Sequence, residues 1–277
     1  MRIFMAGGLG FVGKAVADRL AAHELIIPTR DLGKLKASGL KGEFPLFSDD
    51  LAALVRSVSP DVVVNLLGII RETPGSAFGL VHVEYTRRLL AGAKAAGAKK
   101  FIQMSALGAA PDAASAYHRT KFEGEELVRA SGLPYVIFRP SYITGPGQGL
   151  RAELRKLARL APVFAAPSDA LLAPVAAGTV ADCFGRAAED PAVKDETFEL
   201  GGEEVISFRE LLARELAAEG VRRPVIGLPR RLFYPLLPLF ALFDPPPMTR
   251  EQYLMTARPN VPSGRLRGVR DLLGRHA

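Results

Sequence analysis

One cysteine in 277 residues, Cys183, is too few for a disulfide framework and fits a reducing, cytoplasmic compartment. Histidine is nearly as scarce. His82 falls in a helical stretch and His118 beside Tyr117, and neither has a second ligand at metal spacing, so no metal site is expected. No apolar run is long enough to span a bilayer: the longest uncharged one, Leu232 to Phe243, is interrupted by Pro235 and Pro238. Met1-Arg2 leads at once into an apolar strand, which leaves no room for a signal peptide before the fold. Clustered basic motifs are missing too. The net charge is +7, but the Lys and Arg are mostly dispersed and no nucleic-acid motif occurs, so nucleic acid is not an expected partner. The charge suits an anionic cofactor, an anionic lipid surface or an acidic partner instead.

What is present begins at the first residues. The strand-like Ile3-Phe4-Met5-Ala6 runs into Gly7-Gly8-Leu9-Gly10-Phe11-Val12-Gly13 and then into the helix-like Lys14 to Leu20. Strand, glycines and helix in that order mark a dinucleotide site. Gly7 lets the chain turn out of the strand, Gly10 removes a Cβ from the pyrophosphate path, and Gly13 permits close helix–strand packing. The pyrophosphate would rest on free N–H groups at the positive end of the helix dipole, near Phe11 and Val12.

A second strand, Glu24 to Arg30, ends where an acidic residue would take the ribose 2′-hydroxyl of NAD. Thr29 holds that place and Arg30 follows, a planar cation suited to a 2′-phosphate. NADP(H) is therefore favoured, with NAD(H) kept open because Asp31 is adjacent. Arg30 is otherwise a solvated loop charge. Asp49, after the strand-like Phe44 to Phe47, either accepts from an adenine amino group or caps the helix that follows.

Further strands are expected at 62–68, 99–105, 133–140 and 197–202, with helices at 51–58 and 81–97. Strands alternating with helices give an α/β fold, a Rossmann-type doubly wound parallel sheet with a smaller C-terminal lobe. The expected division is 1–149 for the nucleotide domain, completed by 174–202, with 150–173 and 203–277 in the lobe. Nearly half the residues are hydrophobic, enough for a full core. Cys183, in an Ala-rich helical pattern, and Tyr85 are expected to be packing residues.

The candidate chemistry lies at Ser105, Tyr117 and Lys121. Tyr117 and Lys121 are four apart on one helix, where an ammonium can lower a phenol pKa and hold a nicotinamide ribose. Ser105 ends a strand from which its hydroxyl would reach a carbonyl or hydroxyl being reduced or oxidised.

In sum of motifs, Gly7 to Gly13, Asn65-Leu66-Leu67-Gly68, Met104 to Ala109, Tyr117 to Lys121 and Phe138 to Gly147 follow one another as in the short-chain dehydrogenase/reductase superfamily. The chain resembles that superfamily, and within it the atypical extended group that includes the NADPH-binding accessory subunit of respiratory complex I and its bacterial relatives. The resemblance implies a cofactor site lined by Leu66, Leu67 and Gly68, with Pro140 and Ile143 flanking the nicotinamide and Lys121 on the ribose hydroxyls. One stretch departs from it: Ala176 to Asp182 stands where many relatives carry a His-Val-Asp-Asp-type segment.

Past residue 150 the character changes. Arg151 to Leu160 reads as a basic amphipathic helix, and Arg230-Arg231 precede the bulky run Leu232 to Phe243, which Asp244-Pro245-Pro246-Pro247 ends. Such segments line a substrate pocket or rest on the inner face of a membrane. Two functions follow. One is an NADP(H)-dependent oxidoreductase acting on a small or lipid-like substrate, quinones included. The other is a nucleotide-stabilised partner of a respiratory or quinone-pathway complex. Nothing in the sequence sets the oligomeric state.

Overall fold

A computed structural model describes residues 1–147, 149–240, 242 and 246–274. Ala241, Phe243, Asp244 and Pro245, at the end of the long apolar run, lie outside the described residues. In chain order the elements are β1 (Arg2–Ala6), α1 (Phe11–Arg19), β2 (Glu24–Ile26), α2 (Leu32–Ser38), α3 (Leu51–Val58) and β3 (Val62–Asn65). A π-helical turn (Gly79–Glu84) then leads into α4 (Tyr85–Ala95), β4 (Lys100–Met104), α5 (Ala116–Arg129) and β5 (Tyr135–Pro140). There follow β6 (Ile143–Thr144), α6 (Gly149–Leu157), β7 (Phe164–Pro167), β8 (Leu171–Leu172), β9 (Val175–Ala176), α7 (Ala177–Glu189) and β10 (Glu196–Leu200). The chain closes with β11 (Ile206–Ser207), α8 (Phe208–Ala218), β12 (Val225–Leu228), α9 (Arg230–Phe233), a 3₁₀ turn (Tyr234–Leu236), α10 (Leu237–Phe240), α11 (Arg250–Met255), β13 (Arg267–Gly268) and α12 (Val269–Leu273).

Seven strands form one parallel sheet in the order β13-β10-β5-β4-β3-β1-β2. Its strands are buried on both faces, so they read as continuous apolar runs and not as alternation. In β1, Ile3 and Met5 enter the core shared with α1 and α7, while Phe4 and Ala6 enter the core shared with α3 and α4. Cys183 and Tyr85 are both buried in these cores, as expected of packing residues. From β1 the chain steps to β2 on one side and then returns to β3 on the other. That reversal opens a crevice at the carboxyl ends of β1 and β3, where ligands of such sheets bind.

Several expected boundaries move. Phe44–Phe47 is not a ladder strand: Glu43 and Leu46 make single bridges to Ile26 and Thr29. The apolar run from Val62 leaves its ladder at Asn65, because Leu66 to Gly68 bend into the crevice. The helix expected over 81–97 starts as a π turn. The residues 267–273, expected in the lobe, return to the main sheet as β13 and α12, where Phe198 and Glu199 pair with Arg267 and Gly268. The lobe itself contains the β7–β12 ribbon against α6 and α8, which enclose a separate small core of Leu154, Phe164, Leu212 and Leu216.

Candidate functional site

The glycine corner has three different reasons for its three glycines. Gly7 has φ +86°, and a Cβ there would come within 2.9 Å of the Leu66 carbonyl carbon, so this glycine lets β1 turn against the backbone leaving β3. A Cβ on Gly13 would stand 2.2 Å from Gly7 O, which makes Gly13 a requirement of helix–strand packing. Gly10 differs. Beyond its chain neighbours a Cβ there would meet only Gly7 O, at 3.2 Å, so its outward side is open. Gly10 is also the N-cap of α1 and brings no side-chain cap, which leaves the first-turn amides of Phe11 and Val12 without a side-chain acceptor. An open cradle with uncapped donors at a helix N-terminus fits a pyrophosphate. Val12 is buried, and Phe11 packs its ring edge beneath Gly145.

The far side of the crevice is built on a buried amide. Asn65 donates from Nδ2 to Thr86 Oγ1 at 3.0 Å and to Gln103 Oε1 at 2.9 Å, and its Oδ1 accepts from Leu67 N–H at 3.1 Å. This fixes the bend Leu66-Leu67-Gly68. Lys121 reaches that bend from α5: its Nζ donates to Met104 O at 3.1 Å and to Leu67 O at 3.4 Å. A Cβ on Gly68 would lie 3.0 Å from the same ammonium. Burial lowers the Lys121 pKa to about 8, with Glu125 acting partly against the shift.

Tyr117 lies in the first turn of α5, whose N-cap Ser115 accepts from His118 N–H at 3.2 Å. Its ring is caged edge-on by Phe78 (5.9 Å), His82 (5.4 Å) and His118 (5.1 Å). Burial pushes its phenol up to about 12, and the expected lowering by Lys121 is not found. The reason is visible in the geometry: that ammonium is turned to two backbone carbonyls.

Ser105 is also diverted. Its hydroxyl donates at 2.5 Å to Glu125, whose side chain is fully buried and also accepts from Arg139 (2.8 and 2.6 Å) and Arg129 (2.7 Å). The structure thus gathers Tyr117 and Lys121 along one helix, and joins Ser105 to the Glu125 ion cluster. Glu125 went unnoticed in the sequence, although 117, 121 and 125 share one helical stripe. His82 was weighed only as a metal ligand. Its Nε2 accepts from Ile69 N–H at 3.3 Å, its Nδ1 lies 2.9 Å from Thr120 Oγ1, and its ring stacks on Phe78 at 5.4 Å. Burial, with help from Lys121, lowers its pKa to about 2, so it is neutral. It ties the 66–69 bend to α5.

At the other end, Arg30 lies with its guanidinium 3.9 Å from the centre of the Phe47 ring and donates from Nη2 to the Tyr85 hydroxyl at 3.1 Å. Tyr85 in turn donates to Asp49 Oδ1 at 2.9 Å. Asp49 is therefore not the helix cap; Asp50 is, accepting from Ala53 N–H. Asp31 caps α2 through Lys34 N–H. Pro140 is buried at the end of β5, and Ile143 opens β6 beside it.

A model of the NAD dependent epimerase/dehydratase family matches residues 3–172. The 40 kDa subunit of NADH-ubiquinone oxidoreductase from Neurospora crassa is 28% identical over 243 residues, 83% of this chain. The chain spans only 63% of the length of that relative. A ceramide reductase from Caulobacter vibrioides is 35% identical over 104 residues, 38% of this chain and 32% of that protein. Among solved structures, the NADPH-dependent quinone oxidoreductase QOR2 of Escherichia coli, complexed with NADPH, superposes with a TM-score of 0.68 at 19% identity, covering 92% of this chain and 87% of that one, a likeness of fold.

Proposed function

Since the chain belongs to the NAD dependent epimerase/dehydratase family, we propose that it binds NADP(H) in the crevice between β1 and β3 and acts as an oxidoreductase on a hydrophobic, lipid-like or quinone-type carbonyl. The observation that carries this is the buried Lys121 ammonium at the mouth of β3 and β4, one helical turn after Tyr117 and against Gly68. Gly7, Gly10, Phe11, Val12 and Gly13 would hold the pyrophosphate, Arg30 the 2′-phosphate and Asp49 the adenine. Leu66, Leu67, Gly68 and Lys121 would hold the nicotinamide ribose, with Pro140 and Ile143 beside the ring. When bound, the nicotinamide supplies hydride. A phenol held near 12 stays protonated at neutral pH, so Tyr117 is suited to donating a proton in the reducing direction. Phe78, His82 and His118 fix its ring. The lipid-like class draws support from the partial likeness to a ceramide reductase.

A second reading has its own support. Ser105 is turned into the Glu125 cluster, and the Neurospora relative is a subunit of NADH-ubiquinone oxidoreductase, as suits a nucleotide-stabilised assembly partner that does not turn over. The two part at the bench. Purified protein is incubated with NADPH and a panel of long-chain ketones and quinones; oxidation of the nucleotide supports the enzyme, and retention of unconsumed nucleotide across the panel supports the partner.

A further inference from the structure

Residues 221–243 contain four arginines, Arg222, Arg223, Arg230 and Arg231, and no acidic residue. Within them α9, the 3₁₀ turn and α10 follow without a break from Arg230 to Phe240. A surface helix is ordinarily apolar toward the core and polar toward water. This one is apolar on both sides. Its inner side is anchored by Phe233, 1% exposed, which meets Phe240 edge-on at 5.6 Å and stacks on Tyr253 of α11 at 6.3 Å. Its outer side exposes Leu232 and Leu239 by about half, and beyond it Leu242 by 83%, while the half-exposed Tyr234 leans on the Tyr253 ring at 5.2 Å. Leu232, Pro235, Leu239 and Leu242 recur at helical spacing along that side.

The arginines divide by role. Arg230 donates to Ala257 O and lies over the Tyr253 ring, and Arg223 donates to Ala158 O, so both brace the lobe. Arg231 is exposed next to Leu232, and among the described residues no carboxylate pairs with it.

We propose that this outer face docks on an anionic phospholipid bilayer, lying in the plane of the interface. Leu232, Leu239 and Leu242 would enter the acyl boundary, and Arg231 would meet lipid phosphates. The charge selects this occupant. A second copy docked through the same patch would bring Arg231 toward Arg231, and the nearby carboxylate of Asp169 is already engaged, accepting from Arg230 N–H at 3.0 Å. A run this short cannot cross the bilayer, and no helix among the described residues is long and apolar enough to do so.

The test is co-sedimentation of the full chain with phosphatidylcholine vesicles, with and without phosphatidylglycerol. Wild type is expected to sediment with the anionic vesicles and to be released by high salt. Leu239→Asp and Leu242→Asp should each lower partitioning about tenfold or more. Arg231→Ala should lower it about fivefold. An unchanged far-ultraviolet circular dichroism spectrum and melting temperature certify that each variant is folded. Failure of wild type to sediment, equal binding to neutral vesicles, or undiminished binding of both aspartate variants would overturn the proposal. So would a concentration-dependent dimer that Leu239→Asp abolishes in the absence of vesicle binding, which would assign the face to a second copy.

Discussion

Ser105 donates its hydroxyl to Glu125 at 2.5 Å inside the fold and so ties the end of β4 to α5. Ser105→Ala should cost about 1–3 kcal/mol of stability, since a hydrogen bond to a buried charge is lost. Glu125→Ala should cost more, on the order of 3–5 kcal/mol, because it strands Arg139 and Arg129 without their shared carboxylate. Urea unfolding measures both. Nucleotide affinity of Ser105→Ala should match wild type; a large loss of affinity at unchanged stability would return Ser105 to the site.

Gly10 and Gly13 look alike in the sequence and should fail differently. Gly10→Val adds bulk to the open side of the corner, so the protein should stay folded and lose nucleotide binding. Gly13→Val would drive a side chain into Gly7 O and Gly8 and should unfold the domain or lower its melting temperature sharply. Circular dichroism paired with a nucleotide titration separates them. Undiminished binding by Gly10→Val would mean the corner is only a turn.

The Arg30–Tyr85–Asp49 chain gives the nucleotide preference two levers. Arg30→Ala should weaken NADPH by about 1.5–3 kcal/mol while leaving NADH nearly unchanged. Tyr85→Phe keeps the ring beneath the guanidinium network and removes only the hydroxyl that Arg30 and Asp49 share, so its effect should be smaller, about 0.5–1.5 kcal/mol. Calorimetric titration with both nucleotides decides; equal NADPH affinity in wild type and Arg30→Ala would remove Arg30 from the site.

The sheet was legible because its strands are buried on both faces and its glycines are spaced by backbone geometry that tolerates few alternatives. The Ser105–Glu125 bond was not, for a strand-terminal serine reads the same with or without a buried carboxylate beside it, and Glu125 is 20 residues away in sequence. The role of Asp49 stayed open for a similar reason, since either of two adjacent acids can cap a helix, and here Asp50 caps α3 while Asp49 accepts from Tyr85. His82 carried no metal spacing, and its hydrogen bonds to Ile69 and Thr120 exist only once three elements meet.

Lys121 should give the protein a pH signature. With its pKa lowered to about 8 from an ordinary 10.5, the folded protein releases this proton earlier than the unfolded chain does. Between those values the unfolded chain binds more protons, so this group makes stability rise with pH; below about 8 the cost of the buried ammonium is fully present, on the order of 3 kcal/mol. Nucleotide affinity should run the other way and weaken as pH rises through about 8, when the ammonium that would hold the ribose is lost. Lys121→Met should flatten both profiles. Urea midpoints and NADPH titrations across that range test it, and an unchanged slope in Lys121→Met would assign the titration to another group.

Tyr117→Phe separates an enzyme from a nucleotide-locked scaffold. The hydroxyl it removes accepts no hydrogen bond from the described residues, while the ring stays caged by Phe78, His82 and His118, so folding and nucleotide affinity should barely change. If Tyr117 donates the proton, turnover should fall by about 10²–10⁴, the contribution typical of a positioned general acid. The pH profile sharpens this. A phenol held near 12 remains protonated through the neutral range, so wild-type reduction should show no loss of rate from this group until strongly alkaline pH. Steady-state rates of NADPH oxidation across pH, for wild type and Tyr117→Phe alongside Ser105→Ala, give the readout. Wild-type turnover in Tyr117→Phe, together with full complementation of a deletion strain, would leave the caged tyrosine as packing and the bound nucleotide as a structural clamp on α5.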